Sequence, residues 1–145
     1  MDSEMVGPVA WERVDRQLRA ARNYWLSTAR ADGRPHARPV WGVWLAGALW
    51  FGTGLESVKG RNLLCDPRCT MHLESGDDVV ILEGTAERAE DDDAYAAYSR
   101  KYDMPADAAS FAALPQVGAL FRFAPTTAHA WLETAFVDSQ ATFRF

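Results

Sequence analysis

The sequence predicts a mainly β protein, an antiparallel barrel of six to seven strands with a few short helices. Two observations carry this. Runs of period-two alternation recur along most of the chain, as at Tyr24–Ala29, His36–Leu45, Ala48–Gly52, Arg68–Glu74 and Val79–Arg88. Tight turns join them, with Asp32-Gly33, Ala46-Gly47 and Ser75-Gly76-Asp77-Asp78 between successive runs, and such turns impose antiparallel pairing. Closure into a barrel removes the exposed edges that this many strands would otherwise leave.

Pro8–Ala21 reads as an opening helix with Val9, Val14 and Leu18 as its buried stripe, Trp11 on an adjoining flank and Pro8 in the first turn. Its arginines at 13, 16, 19 and 22 interleave with Glu12 and Asp15. Glu12–Arg16 and Asp15–Arg19 have the favourable i,i+4 order, which makes this a solvated face with weak ion pairs. Pro39 falls inside the second strand, so that strand is an edge or is irregular there. A short helix is expected from Ser57 to about Cys65, ended by Asp66-Pro67. Asp91–Tyr102 is a second helix with Asp91, Asp92 and Asp93 at its positive end. Met104-Pro105 breaks it, and Asp107–Ala113 reads as another turn or two. Val117–Phe123, Thr127–Leu132 and Thr142–Phe145 are closing strands. No repeat or linker interrupts the chain, which reads as one domain over residues 1–145.

Composition excludes several classes of function. Hydrophobic residues make up 48% and charged residues 24% of the 145, enough for a real core without disulfide or metal staples. The net charge of -5 argues against nucleic-acid binding, which depends on cationic contacts to phosphate. No apolar run approaches a membrane span. The segment from Met1 to Gln17 is acidic early and lacks the apolar stretch of a secretory leader. Cys65 and Cys69 make no disulfide framework, so the cytoplasm is the expected compartment. Six tryptophans suggest either an aromatic core or a surface for a flat ligand.

Chemistry concentrates in Gly52-Thr53-Gly54-Leu55-Glu56-Ser57-Val58-Lys59-Gly60-Arg61-Asn62-Leu63. A strand end leads through glycines into a helix start, where unpaired N–H groups and the positive dipole end favour phosphate. Ser57 can cap that start or turn its hydroxyl to an anion. Lys59 and Arg61 add cations and Asn62 an amide. An ordinary capped helix with solvated basic residues is the structural alternative. A second constellation is the aromatic pair Val40-Trp41-Gly42-Val43-Trp44 and Leu49-Trp50-Phe51. Trp41 and Val43 share one face, Trp44 lies on the other, and Gly42 admits a close approach to the backbone. A flat ring could lie against this strand; core packing with a subunit contact is the alternative. Cys65, Cys69 and His72 lack a fourth ligand, so no metal site is expected. His36 and His129 stand alone, and no nucleophile elbow occurs.

Taken in order, these motifs resemble the pyridoxamine 5'-phosphate oxidase-like superfamily of flavin and deazaflavin oxidoreductases, and within it the actinobacterial branch that uses coenzyme F420. The carrying stretches are Tyr24–Thr28, Gly33–Trp41, Leu49–Gly54, Ser57-x-Lys59-x-Arg61-Asn62-Leu63, Asp66–Arg68, His72–Val80 and Glu83–Ala86. The resemblance implies an FMN-binding split barrel, a homodimer, and a cofactor in the cleft between subunits. It implies that Ser57, Lys59 and Asn62 hold the cofactor phosphate with Arg61 nearby. Pro39, Val40 and Trp41 would line the ring, largely through backbone, and Thr53 and Gly54 would border the phosphoribityl chain.

The activity this implies is hydride transfer from reduced F420 to an unsaturated small organic substrate, with FMN as the competing cofactor. Arg38 and the first-helix arginines would meet the anionic F420 tail. No side chain need be a nucleophile, since the cofactor carries the chemistry. The alternative class is a non-catalytic flavin-, F420- or haem-binding module, with His36, His72 or His129 as an axial ligand for haem. Gly60 departs from expectation, standing where a better helix former belongs. The ending Phe143-Arg144-Phe145 only approximates that branch.

Overall fold

A computed structural model describes residues 7–104 and 118–145. Its elements are α1 (Trp11–Ala20), β1 (Tyr24–Ala29), β2 (Pro35–Val40), β3 (Gly42–Leu45), β4 (Ala48–Thr53), α2 (Val58–Cys65), β5 (Arg68–His72), β6 (Asp78–Arg88), α3 (Asp92–Tyr102), β7 (Ala119–Leu132), a 3-10 turn (Glu133–Ala135), α4 (Phe136–Ser139) and β8 (Ala141–Arg144). The strands form one antiparallel sheet in the order β2-β1-β5-β6-β7-β4-β3, and β8 pairs with β7 off this path. The ends of the path, β2 and β3, are consecutive in the chain but do not pair with each other. The result is the split barrel expected from the sequence.

Packing explains why β4 shows no polar alternation. Leu49 and Phe51 join the main core with Val14, Leu18, Tyr24, Leu26, Met71, Leu82, Phe121 and Phe123. Ala48 and Trp50 face the other way, into a second cluster with Val43, Tyr95, Tyr98, Tyr102 and Leu120. The sheet is thus covered on one side by α1 and on the other by α3, and a strand buried on both faces reads as a continuous apolar run. The helix stripe of Val14 and Leu18 is buried as expected. Trp11 stands edge-on to Trp44, Phe143 and Phe145.

Three boundaries differ from the sequence reading. The strand expected over His36–Leu45 is two strands separated at Trp41. Side chains of α3 hold the backbone of Gly42: its N–H donates to the Tyr102 hydroxyl (2.9 Å), and its carbonyl accepts from Lys101 Nζ (2.8 Å). The strands expected at Val117–Phe123 and Thr127–Leu132 belong to the single strand β7. Thr126 is an extra residue between the pairs Gly84–Pro125 and Glu83–Thr127, so the proline sits at a bulge, where the ladder loses little. The 3-10 turn and α4 follow β7 where no helix was expected. Asp107–Ala113 and Val117 lie outside the described residues. Among the described residues no helix is long and apolar enough to cross a membrane.

Candidate functional site

The β4–α2 junction is built around the Ser57 hydroxyl. Its oxygen accepts from the Gly60 N–H (3.1 Å) and donates to the Gly54 carbonyl (2.7 Å). With its one proton spent on Gly54, it accepts from Thr53 Oγ1 at 3.1 Å. Of the two roles open to Ser57, the structure shows the cap. Thr53 is fully buried, which leaves the Gly54 backbone as the group at this corner that can border a ligand.

Gly60 is explained by close approach. A Cβ there would lie 2.2 Å from the Gly54 carbonyl oxygen, so any other residue would force the tight entry into α2 to shift. At Gly42 the approaching groups are internal: a Cβ would meet the Trp50 carbonyl oxygen at 3.0 Å and the Tyr24 ring at 3.3 Å.

Rotation along α2 separates the expected anion ligands. Lys59 joins Asn23, Pro39, Val40, Trp41, Gly52 and Tyr98 around a cavity of about 370 Å³. Arg61, two residues on and about 200° around the helix, instead lines a cavity of about 440 Å³ with Arg30, Arg34, Val58, Asn62 and Cys65. Asn62 is 7% exposed, and its Nδ2 donates to Thr28 Oγ1 at 3.0 Å, tying α2 to β1. Lys59 therefore meets the Pro39–Trp41 wall, whereas Arg61 and Asn62 do not line that cavity.

The first cavity has an aromatic wall. Trp41 stacks on Tyr102 with ring centroids 4.5 Å apart and planes 4° from parallel. The Arg22 guanidinium lies over both rings, 5.1 Å from Trp41 and 5.5 Å from Tyr102. The Tyr102 hydroxyl also donates to the Arg22 carbonyl at 2.6 Å. These contacts set the plane of Trp41 without any ligand. Tyr98, Lys101, Tyr102 and Arg22 were not anticipated as supports. The spacing of Tyr95, Tyr98 and Tyr102, i, i+3 and i+7 on one helix face, is the signal that could have found them.

Electrostatically the site is cationic. Lys59 is half-buried and makes no hydrogen bond or ion pair with a described residue; burial, then the nearby Arg38, lowers its pKa. His36 on β2 is 7% exposed, with Nδ1 buried and without a partner. Burial, then Arg38, Arg30 and Lys59, lower its pKa. The positive charge of Lys59 and Arg38, in a protein of net charge -5, is suited to an anion, whereas Arg34 and Arg30 are opposed by Asp32. Of the first-helix arginines, Arg19 pairs with Asp15 and Arg13 with Asp78 at 2.5 Å, so neither is free for a ligand. Cys69 is partly buried, which pushes its thiol up to about 12. His129 meets Thr142 and Glu83, and Nδ1 of His72 meets the Leu73 carbonyl. Among the described residues no three potential metal ligands gather.

An open antiparallel barrel with an aromatic-walled cavity lined by Pro39, Val40 and Trp41 defines a split-barrel fold. Residues 10–132 match the pyridoxamine 5'-phosphate oxidase family, and the chain belongs to that family. Solved structures agree. A conserved hypothetical protein of Mycobacterium tuberculosis is 21% identical, with a TM-score of 0.73 over 93% of this chain and 92% of that one. A haem-binding protein of Mycobacterium smegmatis is 23% identical with a TM-score of 0.69; the match covers 96% of this chain but 60% of that one. An F420 reductase is 22% identical with a TM-score of 0.62, over 79% of this chain and 94% of that one. At these identities the likeness establishes the fold. No curated protein matches the chain in sequence.

Proposed function

We propose that this chain is a coenzyme F420-dependent reductase that acts on an unsaturated small organic substrate. The observation that carries the reading is Lys59, a half-buried cation without a partner among the described residues, in one cavity with Pro39, Val40 and Trp41. That combination suits a flat ring bearing a phosphate: an aromatic wall for the ring, and a desolvated charge for the anion. The bound cofactor would supply the hydride and solvent the proton, so no side chain of the cavity wall need act as a nucleophile. The residues of the chain bind and orient. Pro39, Val40 and Trp41 flank the ring, Gly54 borders the chain that follows it, and Lys59 holds the phosphate. Ser57 acts by fixing the helix start, and Asn62 by tying α2 to β1.

F420 carries a longer anionic tail than FMN. Arg38, beside Lys59, gives that tail a further cation, which favours F420. The reading includes a cytoplasmic homodimer with the cleft at its interface. The exposed edge β2, with Arg38 and Pro39 at its surface, supports a second copy there.

The likeness to a haem-binding protein supports a second reading, a cofactor-binding module without turnover. Haem itself fits less well at His129, whose two ring nitrogens meet Thr142 and Glu83, and at His36, where nearby cations oppose a positively charged iron; His72, bonded through Nδ1 to the Leu73 carbonyl, keeps Nε2 for a ligand. Side-by-side titration with F420 and FMN, followed by turnover of reduced F420 with a panel of acceptors, tests the proposal. Tighter binding of F420 with turnover supports it. Equal, weak affinity for both defeats the cofactor choice, and tight binding without turnover on any acceptor favours the module.

A further inference from the structure

Another cavity, of about 350 Å³, lies between the last turns of α1 and α3 and the strand β3. Arg19, Val43, Trp44, Ala97, Arg100 and Lys101 line it. It shares no lining residue with the cavity of Lys59, from which α3 divides it: Tyr98 lines that cavity, and Ala97 and Lys101 line this one. Three cations thus meet in one lining. Arg19 is opposed by Asp15, whose carboxylate also accepts from the Trp44 indole N–H at 2.8 Å. Arg100 makes no hydrogen bond or ion pair with a described residue. Lys101 Nζ is held by two neutral oxygens, the Tyr24 hydroxyl at 2.9 Å and the Gly42 carbonyl at 2.8 Å. Basic residues in a last turn ordinarily complement the helix dipole. Each helix end carries about half an elementary negative charge, so two ends and Asp15 still leave an excess of about one positive charge.

We propose that this cavity is a second binding site, for a small organic carboxylate with an apolar body. The Arg100 guanidinium has its donors free to meet a carboxylate through two parallel N–H bonds. Lys101 adds a fixed charge, and its attraction is stronger for standing partly out of water. Val43, Trp44 and Ala97 supply the apolar wall against which the body of the ligand lies. That wall offers nothing to a hydrated inorganic ion, and an excess of about one positive charge matches a monoanion rather than a polyanion. The volume suffices for a small molecule of this kind. The proposal stands independently of the cofactor reading, because none of its residues belongs to the Lys59 cavity.

The test is an NMR titration of the full-length, nitrogen-15-labelled protein in low salt, with benzoate as probe and benzamide as its neutral isostere. Benzoate should move the amides of Val43, Trp44 and residues 97–101 and the Trp44 indole N–H, and benzamide should leave them in place. Arg100→Gln should weaken benzoate about tenfold or more, the scale of a charge-assisted contact, and Arg100→Lys should restore part of the loss. Arg100 is exposed and unbonded, so both variants keep the fold. Lys59→Ala should bind benzoate here as the parent does. Unmoved amides in this cavity, equal responses to benzoate and benzamide, or unchanged affinity in Arg100→Gln would overturn the site. Loss of the benzoate response in Lys59→Ala would place the carboxylate in the other cavity and overturn it as well.

Discussion

Gly60 sits in the first turn of α2 and separates two effects that act on the same residue. Helix propensity alone makes Gly60→Ala stabilising by about 1 kcal/mol. A Cβ 2.2 Å from the Gly54 carbonyl oxygen makes it overpacked, at a cost of about 1–3 kcal/mol. Backbone meets backbone there, with no flexible side chain to yield, so the second effect wins. Urea unfolding should show Gly60→Ala less stable than the parent; a gain in stability would mean that the corner relaxes freely. The sequence carried Gly60 as an anomaly because helix propensity is a local quantity, whereas its cause lies six residues away across a turn. Lys59 and Arg61 show a similar limit. Both are basic and two apart, which reads as one cluster, yet the helical rotation sends them to different cavities.

At the scale of elements, α3 does more than cover a face of the sheet. Tyr102 and Lys101 satisfy the Gly42 backbone, and Lys101 Nζ also donates to the Tyr24 hydroxyl at 2.9 Å. The helix thereby sets both the break between β2 and β3 and the plane of Trp41. Its position predicts an alkaline response. Burial raises the Tyr24, Tyr98 and Tyr102 hydroxyls above their ordinary value, Tyr102 to about 12. In the unfolded chain they ionise near pH 10. Above that pH the unfolded state has lost protons that the native state keeps, so stability falls as pH rises toward 12. Lys101, lowered to about 8 by burial and by Arg22, acts in the opposite sense below pH 10, where its buried charge is progressively relieved. Absorbance at 295 nm should report tyrosine ionisation delayed well past pH 10 in the native protein, with urea midpoints declining over the same range. Ionisation at the ordinary value would place the rings in solvent.

Helix α3 also marks what the sequence could not convey. Its existence and its acidic cap at Asp91 were legible, and the Asp91 carboxylate does accept from the Ala94 N–H. Its packing partner was not, because Tyr102 and Gly42 are 60 residues apart. Most strands were legible from period two and turn residues. The single strand β7 was not: Pro125 looks like a strand end unless the bulge opposite Gly84 is known.

For the whole molecule, the open ends β2 and β3 are the feature that closure of the barrel would have removed. They place Pro39 and Arg38 at an exposed edge beside the cavity, which is where a second copy would complete the walls of the proposed cleft. Sedimentation equilibrium should therefore give a mass near twice the 16.1 kDa of the chain. A value that stays at the chain mass across concentrations would confine the site to one subunit. The bulk charge of -5 and the local charge of Lys59 and Arg38 are compatible because the pair is a small, shielded part of the surface.

The central claim is that Lys59, facing the Pro39–Trp41 wall, binds the phosphate of a flat cofactor, and that the basic residue two positions on does not share this role. FMN titration of the parent, Lys59→Ala and Arg61→Ala, followed by flavin fluorescence, addresses it directly. The account predicts that Lys59→Ala loses about 1.5–3 kcal/mol of binding, the scale of a charge-assisted contact, while Arg61→Ala stays within about 0.5 kcal/mol of the parent. Unchanged affinity in Lys59→Ala, or a larger loss in Arg61→Ala, would move the phosphate to the other side of α2 and contradict the account.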